Sequence, residues 1–385
     1  MIYLCILMAL ALFALMHDVL NVREGRTISY WGGYVMLVCL AGFRFKVGGD
    51  TYNYMFTHEL LPNLSTLFSA EVGIAKLQPL WLLFSATAKS IGEEFYILQF
   101  LHAITVNAVI FLFIDKNTKF RQTGIFFYYF SLYPFFNFEI LRESLAVCCF
   151  LIAIPHYTNK NWIRYYSLIT AAFLFHFSAI FLFLLPLFRS LTQRPTSLFL
   201  VFFASALLNP AIQVALSSPI ATNLLGPIVS AYAEYNYTIF GLISLFVLYL
   251  LTPLTLTWIT LDKLQIKLNY GIIAKNGLLI AALIPLLFIF HRFFNYFSIL
   301  YILMTCEATH AAIKSKKIRK IKLITAPALL SFILLFHTGR YFTDTSDLVA
   351  STRWHIRWHP YHSIFDPITV SDRDRMVEIQ NLGQQ

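Results

Sequence analysis

Charged residues and cysteines are both scarce in this sequence. Only 12% of its 385 residues are charged, whereas 58% are hydrophobic, and the five cysteines all lie in apolar stretches. A composition this apolar excludes an ordinary water-soluble globular protein. Cysteines inside apolar stretches behave as small hydrophobic residues, so neither a disulfide framework nor a metal framework is predicted.

Several motifs of enzymes and channels are also absent. The chain has no Walker-type phosphate loop, no HExxH or Cys-His metal spacing, no GxSxG elbow and no regular series of gating arginines. We therefore predict no cofactor and no metal ion. The net charge of +10 fits basic residues collected at one membrane face, so no nucleic acid partner is predicted.

Long apolar runs recur along the chain, and they do not alternate as the strands of a β-barrel would. They predict an all-α fold, a polytopic transmembrane helical bundle of about 12 spans. The first run lacks a basic n-region and a cleavage site, and it is therefore interpreted as a retained span. The predicted spans are residues 2–20, 29–45, 94–114, 122–138, 142–157, 162–175, 177–189, 197–216, 236–260, 274–291, 293–312 and 321–338.

One further apolar run favours a helix that lies along the membrane interface. Residues 76–92 are interrupted by Gln78, Pro79 and Lys89, which makes the run amphipathic. If this run does not cross, the Lys and Arg residues gather on one face together with the basic segment Lys314–Lys320. The positive-inside rule makes that face cytoplasmic and leaves the candidate chemistry on the outer face.

Two polar segments are predicted on the outer face. The first external loop covers residues 46–93 and includes the interfacial helix, and a polar C-terminal tail covers 339–385 after a membrane domain of 1–338. Aromatic residues between Trp354 and Phe365 favour a small cap over this face. A disordered end is the other interpretation for the last residues of the tail.

The densest polar cluster of the chain is residues 44–54. Gly48 and Gly49 predict a tight turn that brings backbone N–H groups and the Asp50 carboxylate close to a ligand. The same residues also fit a helix-terminating glycine and an N-cap aspartate for a helix that starts near Thr51. Both interpretations are open on spacing alone.

Two arginines lie at membrane depth, where an uncompensated charge is costly. Arg142 begins a predicted span and needs either a carboxylate partner, for which Glu139, Glu143 and Asp50 are candidates, or an anionic ligand. Arg292 lies at a predicted turn between two late spans, where an interface anchor is the alternative. Two such cations on one face favour an anionic substrate over two structural anchors.

His176 lies in an otherwise apolar turn between two short predicted spans. A lone histidine in such a place is either a hydrogen-bonded structural residue or a catalytic base. The sequence leaves both roles open.

Several short motifs follow one another in a fixed order over most of the chain. They are Arg44 with Gly48, Asp50 and Tyr54; Glu71; Arg142 with Ala146; His176 with Ser178 and Ala179; Arg292 with Tyr296; and Pro360 with Tyr361, Ser363 and Phe365. In this order the motifs resemble the EpsG-like, Wzy-type bacterial polysaccharide polymerases. The family usually has Asn or Gln just before and Gln just after the arginine of the Arg-x-x-x-Ala motif, whereas this chain has Glu139 and Glu143.

The resemblance implies a relative of the multi-span glycosyltransferase C superfamily. It implies an enzyme of the bacterial inner (cytoplasmic) membrane that polymerises undecaprenyl-diphosphate-linked oligosaccharide repeat units on the periplasmic or outer face. Its partners would be this lipid-linked oligosaccharide, membrane lipid, and a chain-length regulator and a flippase of the same pathway. The candidate catalytic residues are Asp50, Arg142 and Arg292, and the candidate substrate-binding residues are Arg44, Tyr54, Glu71, His176, Tyr296 and Tyr361.

Two other functions fit the same residues. A non-enzymatic flippase of a lipid-linked saccharide would use the arginines to bind diphosphate and Asp50 for proton coupling. A membrane acyltransferase that modifies the polysaccharide would use His176 as its base.

Overall fold

The computed structural model describes residues 1–67, 78–190, 194–218, 237–287, 289–314 and 354–370. Within these ranges the backbone is predominantly helical, and β-type pairing is limited to the isolated bridges Arg44↔Ser363 and Ser363↔Asp366. The prediction of an all-helical fold is confirmed. Glu71, the predicted span 321–338 and residues 315–320 of the basic segment lie outside the described ranges.

The helices follow the apolar runs of the sequence. They are α1 (Ile2–Val19), α2 (Arg26–Gly42), α3 (Thr51–Leu60), α4 (Pro79–Ile91), α5 (Phe95–Asn117), α6 (Arg121–Ser131), α7 (Leu141–Thr158), α8 (Trp162–Phe175), α9 (Pro195–Leu216), α10 (Ile239–Lys263), α11 (Gly271–Leu283) and α12 (Ile289–Lys314). Short π-helical segments occur at Leu15–Val19, Phe135–Glu139, Phe246–Leu251 and Trp258–Lys263, and 3-10 helices at Phe177–Ser190 and Trp354–Arg357.

Among the described residues, four helices are long and apolar enough to cross a membrane, namely α1, α5, α9 and α10. The coarser prediction of a helical membrane protein is thereby confirmed, whereas the count of about 12 spans stays a prediction. The run 76–92 contains α4, which has 13 residues and begins with Pro79 at a position where its missing N–H is harmless. A helix of this length is short for a full crossing.

One predicted boundary is wrong. The charged pair His291-Arg292 predicted a turn, but α11 ends at Leu283 and α12 begins at Ile289. Pro285 lies in this gap, and it has no N–H to donate to the carbonyl four residues earlier. The proline therefore sets the break, and the charged pair lies in the first turn of α12.

The chain forms two compact units. Unit 1 comprises Met1–Ala153, Ser167–Phe177 and Ser331–Gln385. In it, α1 packs against α6, and α2 packs against α5. Unit 2 comprises Ile154–Tyr166 and Ser178–Leu330, in which α11 packs against both α9 and α12.

A buried carboxylate holds three helices of unit 1 together. Asp18 at the end of α1 is 1% exposed and accepts hydrogen bonds from the backbone N–H of Thr123 at 2.8 Å and from its hydroxyl at 3.0 Å. Arg26 at the start of α2 forms an ion pair with the same carboxylate at 3.0 Å. Since Thr123 lies in the first turn of α6, Asp18 both caps that helix and has its own charge compensated.

In unit 2, α11 and α12 approach closely because Gly277 has no side chain. A Cβ at that position would lie 2.6 Å from the hydroxyl oxygen of Tyr301. That hydroxyl donates to the carbonyl of Ala274 at 2.8 Å, which satisfies it inside the packed pair. Close approach through glycine is a common way to pack helices in membrane proteins.

Candidate functional site

The turn after α2 is built around the side chain of Arg44. This arginine is fully buried, its Nε donates to the carbonyl of Val47 at 3.0 Å, and its Nη1 donates to the carbonyl of Ala41. Its guanidinium also lies 5.2 Å from the ring centroid of Phe138. These contacts hold the turn, and the substrate contact that the sequence predicted for Arg44 stays a prediction.

Both glycines of the turn have close neighbours. Gly48 has a φ of +118°, and a Cβ there would lie 2.5 Å from the carbonyl oxygen of Phe138. A Cβ on Gly49 would lie 2.6 Å from Nη1 of Arg357 and 2.8 Å from Oε2 of Glu139. The glycine pair predicted a close approach of other groups to the backbone, and this approach is present. The groups that approach are Phe138, Arg357 and Glu139 of the protein itself.

Glu139 is the acceptor for this turn. Its Oε1 accepts from the backbone N–H of Gly49 at 2.8 Å and from Nε1 of Trp358 at 2.6 Å, and its Oε2 accepts from the N–H of Asp50 at 3.2 Å. Nη1 of Arg357 lies 3.9 Å from Oε2. We call Gly49, Asp50, Glu139, Arg357 and Trp358 the Glu139 cluster. The backbone N–H groups of Gly49 and Asp50 donate to the carboxylate of Glu139. The sequence predicted that such N–H groups would lie close to a ligand.

The described part of the tail, residues 354–370, packs onto the same turn. The N–H of Gly48 donates to the carbonyl of Arg357 at 2.8 Å, and the N–H of Phe45 donates to the carbonyl of His362 at 2.8 Å. The aromatic-rich part of the tail is thus an ordered component of unit 1. It covers the backbone that carries Asp50.

Tyr361 fixes this tail segment to α2. Its hydroxyl donates to the carbonyl of Leu40 at 3.0 Å, and its ring makes an edge contact with Tyr3 at 5.9 Å. Burial raises the pKa of Tyr361 to about 12, so the hydroxyl stays protonated and remains a donor at physiological pH. The substrate contact that the sequence predicted for Tyr361 stays a prediction.

Asp50 lies at the N-cap position of α3, but its side chain does not form a capping hydrogen bond. The position of Asp50 fits the interpretation of this turn as the start of a helix. Its side chain does not fit the N-cap role, because it makes no capping hydrogen bond. The Asp50 side chain is partly exposed. Tyr54 follows one turn later, since its N–H donates to the carbonyl of Asp50 at 3.1 Å.

Arg142, in the first turn of α7, is held by neutral groups. Its Nη1 donates to Oε1 of Gln78 at 3.1 Å, and its guanidinium carbon lies 5.9 Å from the ring centroid of Tyr54. The Tyr54 ring in turn packs against Trp81 at 5.5 Å. We call these four residues the Arg142 cluster. The Nε of Arg142 is buried and has no hydrogen-bond partner among the described residues.

The electrostatics of Tyr54 connect Asp50 with Arg142. Burial raises the pKa of Tyr54, the positive charge of Arg142 lowers it, and the negative charge of Asp50 raises it. Both charges therefore act on one phenol. Among the predicted site residues, the structure brings Asp50, Tyr54 and Arg142 together in unit 1.

Two other predicted motifs meet in unit 2. The hydroxyl groups of Ser178 and Tyr296 lie 2.8 Å apart, and both residues are buried. Phe181 packs against Phe293 at 4.6 Å and against Tyr296 at 5.5 Å. The hydroxyl predicted to contact substrate at Tyr296 is thus hydrogen-bonded inside the aromatic core of this unit.

Arg292 and His176 occupy different settings. Arg292 is partly exposed in the first turn of α12, next to His291, whose Nε2 lies 2.5 Å from the hydroxyl of Tyr249. His176, in unit 1, joins the end of α8 to the following 3-10 helix, and its backbone N–H donates to the carbonyl of Ala172 at 2.9 Å. His176 thus lies at a break between two helical segments, where the sequence predicted a turn.

Four residues of these clusters were missed as site residues by sequence reasoning. Gln78 and Trp81 lie in the run 76–92, which was examined only for its membrane placement. Arg357 and Trp358 lie in the aromatic-rich tail. The aromatic composition of this tail is the sequence signal that could have indicated its contact with the site. Glu139 was considered only as a partner of Arg142.

A protein-family model, the EpsG family, matches residues 33–363. Neither the curated proteins nor the solved structures include a significant match. The matched segment covers most of the chain and includes both the Glu139 cluster and the Arg142 cluster. This family is associated with polysaccharide biosynthesis and with glycosyltransferase-like polysaccharide polymerases. The chain belongs to the EpsG family and is a membrane protein of polysaccharide biosynthesis.

Proposed function

We propose that this protein is a membrane glycosyltransferase that joins undecaprenyl-diphosphate-linked oligosaccharide repeat units into a surface polysaccharide. The growing chain on its lipid carrier is the donor, and the non-reducing end of an incoming unit is the acceptor. The reaction takes place at the outer face of the bacterial inner membrane. Membership of the EpsG family supports this class of reaction.

The observation that carries the proposal is the environment of Arg142. Among the described residues its contacts are the amide oxygen of Gln78 and the ring of Tyr54, and neither carries a negative charge. Glu139, a candidate to neutralise it, instead accepts from Gly49, Asp50 and Trp358. A planar guanidinium held by neutral groups keeps its charge available for a phosphate oxygen, which it binds with strong charge-assisted hydrogen bonds.

In the proposed step, an acceptor hydroxyl oxygen attacks the anomeric carbon of the donor chain. The bond from that carbon to the diphosphate oxygen breaks, and the lipid diphosphate leaves with the electron pair. Asp50 takes the proton of the hydroxyl, and Arg142 stabilises the charge that develops on the diphosphate. The further roles predicted from the sequence are part of the same proposal: Arg292 as a second cation for the diphosphate, and His176 and Glu71 as substrate contacts.

Aromatic rings beside the cation suit a sugar substrate. Tyr54 lies between Arg142 and Trp81, and it is partly exposed. A flat ring next to a charged donor can pack against the apolar face of a sugar while the donor binds its phosphate. This arrangement supports a glycosyl donor over a simple anion.

The test compares cells with and without the gene, complemented with wild-type, Arg142→Lys or Arg121→Lys protein. Arg121 is the matched control, because its guanidinium already has a carboxylate partner in Asp115 at 2.7 Å. We expect long polysaccharide with the wild type and with Arg121→Lys. When Arg142→Lys protein accumulates in the membrane at the wild-type level, we expect single capped repeat units. Lysine keeps the positive charge but lacks the planar guanidinium that binds a phosphate through two N–H groups.

Two outcomes overturn the proposed function, and a third excludes the role proposed for Arg142. Repeat units trapped on the cytoplasmic leaflet of the deletion strain indicate a flippase. An unchanged chain length with altered substituents indicates an acyltransferase. Normal chains with Arg142→Lys remove the arginine from the proposed chemistry.

A further inference from the structure

We propose that Glu139 is a positioning residue that sets the place of the Asp50 carboxylate through the backbone of the turn, with the tail segment as its support. The inference rests on the proposed function, in which Asp50 is the base. Glu139 itself touches neither the acceptor nor the donor.

The hydrogen bonds of Glu139 fix two consecutive amides. Its two carboxylate oxygens accept from the N–H groups of Gly49 at 2.8 Å and of Asp50 at 3.2 Å. Amides at the start of a helix lack acceptors within the helix, and a carboxylate there also interacts favourably with the helix dipole. These two bonds orient the peptide planes on both sides of the Gly49 Cα, the second of which ends at the Asp50 nitrogen. The plane after Asp50 is oriented by α3, since the N–H of Tyr54 donates to the carbonyl of Asp50 at 3.1 Å. Together these bonds set the direction in which the Asp50 side chain leaves the backbone.

The covalent chain connects Glu139 to Arg142. The π-helical segment Phe135–Glu139 ends at Glu139, and α7 begins at Leu141. Only two residues thus separate the carboxylate that holds the turn from the arginine that is proposed to hold the diphosphate. A displacement of the turn relative to α7 would change the distance between the base and the leaving group. A misplacement of about 1 Å can lower a reaction rate about a hundredfold.

The tail completes the shell around the carboxylate. Nε1 of Trp358 donates to Oε1 of Glu139 at 2.6 Å, a shorter contact than either backbone amide makes. Arg357 lies 3.9 Å from Oε2, which is an ion-pair distance too long for a hydrogen bond. The side chains of Glu139 and Arg357 are 9% and 13% exposed, so this shell is largely shielded from water. The backbone amides and Trp358 are therefore the contacts expected to matter, and Arg357 is expected to contribute less.

The experiment measures kcat and KM of purified protein with a lipid-linked repeat unit, together with thermal unfolding in detergent. The variants are Glu139→Gln, Glu139→Asp, Trp358→Phe and Arg357→Gln, with Glu59→Gln as the matched control on an exposed carboxylate of α3. For Glu139→Gln we expect kcat to fall about tenfold or more, with KM within about twofold. Glu139→Asp should recover part of kcat, Trp358→Phe should lower it, and Arg357→Gln should lower it least.

A purely structural role predicts a different pattern. In that case kcat would follow the fraction of folded protein, and Glu139→Asp would give no recovery beyond its effect on thermal unfolding. Wild-type kcat in folded Glu139→Gln overturns the inference. If that variant does not accumulate, Trp358→Phe decides, because wild-type kcat in this folded variant, or a change confined to KM, also overturns the inference. A wild-type protein that does not polymerise at all contradicts the proposed function instead.

Discussion

The hydroxyl groups of Ser178 and Tyr296 lie 2.8 Å apart in the interior of unit 2. They belong to two motifs of the sequence, His-x-Ser-Ala and Arg-x-x-x-Tyr, which are far apart along the chain. Each hydroxyl is buried beside aromatic rings, where an unsatisfied polar group would be costly. The two motifs thus meet through a mutual hydrogen bond.

This pair gives a test of whether Tyr296 binds substrate or supports the fold. Ser178→Ala and Tyr296→Phe each remove the hydrogen bond between these two buried hydroxyls, so each should lower the free energy of unfolding by about 0.5–1.5 kcal/mol. The double variant should cost less than the two single variants together. Thermal unfolding of all four proteins in detergent gives this cycle.

A clear alternative result is available for this pair. If Tyr296→Phe leaves unfolding unchanged and raises KM for the lipid-linked unit, the tyrosine contacts substrate as predicted from the sequence. Additive effects in the double variant would show that the two hydroxyls do not stabilise each other.

The local elements were largely predictable, because they depend on neighbouring residues. The apolar run 162–175 gave α8 with the same bounds, and the histidine between two apolar runs marked a real change from α-helix to 3-10 helix. The charged pair His291-Arg292 predicts the break before α12 too late, because Pro285 interrupts the helical hydrogen bonds earlier in the chain. The bounds of α8 were thus predictable from the sequence. The break before α12 was not, because a proline interrupts the helix there.

The contacts of the Glu139 cluster were not predictable from the sequence. Glu139 and Trp358 are 219 residues apart, and the pairing depends on how the tail returns to the turn. The sequence offered three carboxylates as partners for Arg142, and spacing alone could not rank them. The described contacts of Arg142 are instead with Gln78 and Tyr54, which no charge-based argument would select.

The two glycines of the turn should respond differently to alanine. Gly48→Ala places a side chain at a positive φ and 2.5 Å from a backbone carbonyl oxygen, so it should destabilise unit 1 by about 1–3 kcal/mol or more. The atoms nearest to a Cβ on Gly49 are at the ends of the Arg357 and Glu139 side chains, which can move more easily than backbone. Gly49→Ala should therefore lower kcat with a smaller effect on unfolding.

Membrane accumulation, thermal unfolding and polymerisation rate separate these two effects. Gly32→Ala is a suitable control, since nothing lies within 4 Å of a Cβ at that position of α2. Equal loss of stability in Gly48→Ala and Gly49→Ala would contradict the described turn.

Gln78→Glu tests whether the charge of Arg142 must remain available. The substitution nearly preserves shape and places a carboxylate where an amide oxygen now accepts from Nη1 at 3.1 Å. The new ion pair should leave stability unchanged or raise it, but it would neutralise the guanidinium before the diphosphate binds. We expect KM for the lipid-linked unit to rise about tenfold.

Gln78→Ala is the comparison for this variant. It removes the same hydrogen bond and introduces no negative charge, so its effect on KM should be much smaller. Similar values for both variants would indicate that Gln78 acts by orienting Arg142, and that neutralisation is unimportant.

The last prediction concerns Asp50 as the base for the acceptor hydroxyl. A sugar hydroxyl is a poor nucleophile unless its proton is removed as the new bond forms, and general base catalysis contributes about a hundredfold or more. Asp50 begins α3 with a partly exposed side chain, one turn before Tyr54, on which Arg142 also acts. Asp50→Asn should insert normally, bind the lipid-linked unit and form almost no polymer, whereas Asp50→Glu should keep some activity.

Glu71 is the competing carboxylate of the same predicted loop, and Glu71→Gln is therefore the paired variant. Polymer length on gels, the rate of chain growth and binding of the lipid-linked unit should be measured for all three proteins. Long chains from Asp50→Asn together with failure of Glu71→Gln would move the base to Glu71. If neither substitution changes the rate, a carboxylate of this loop is not the base, and the flippase alternative becomes the better account of the bound diphosphate.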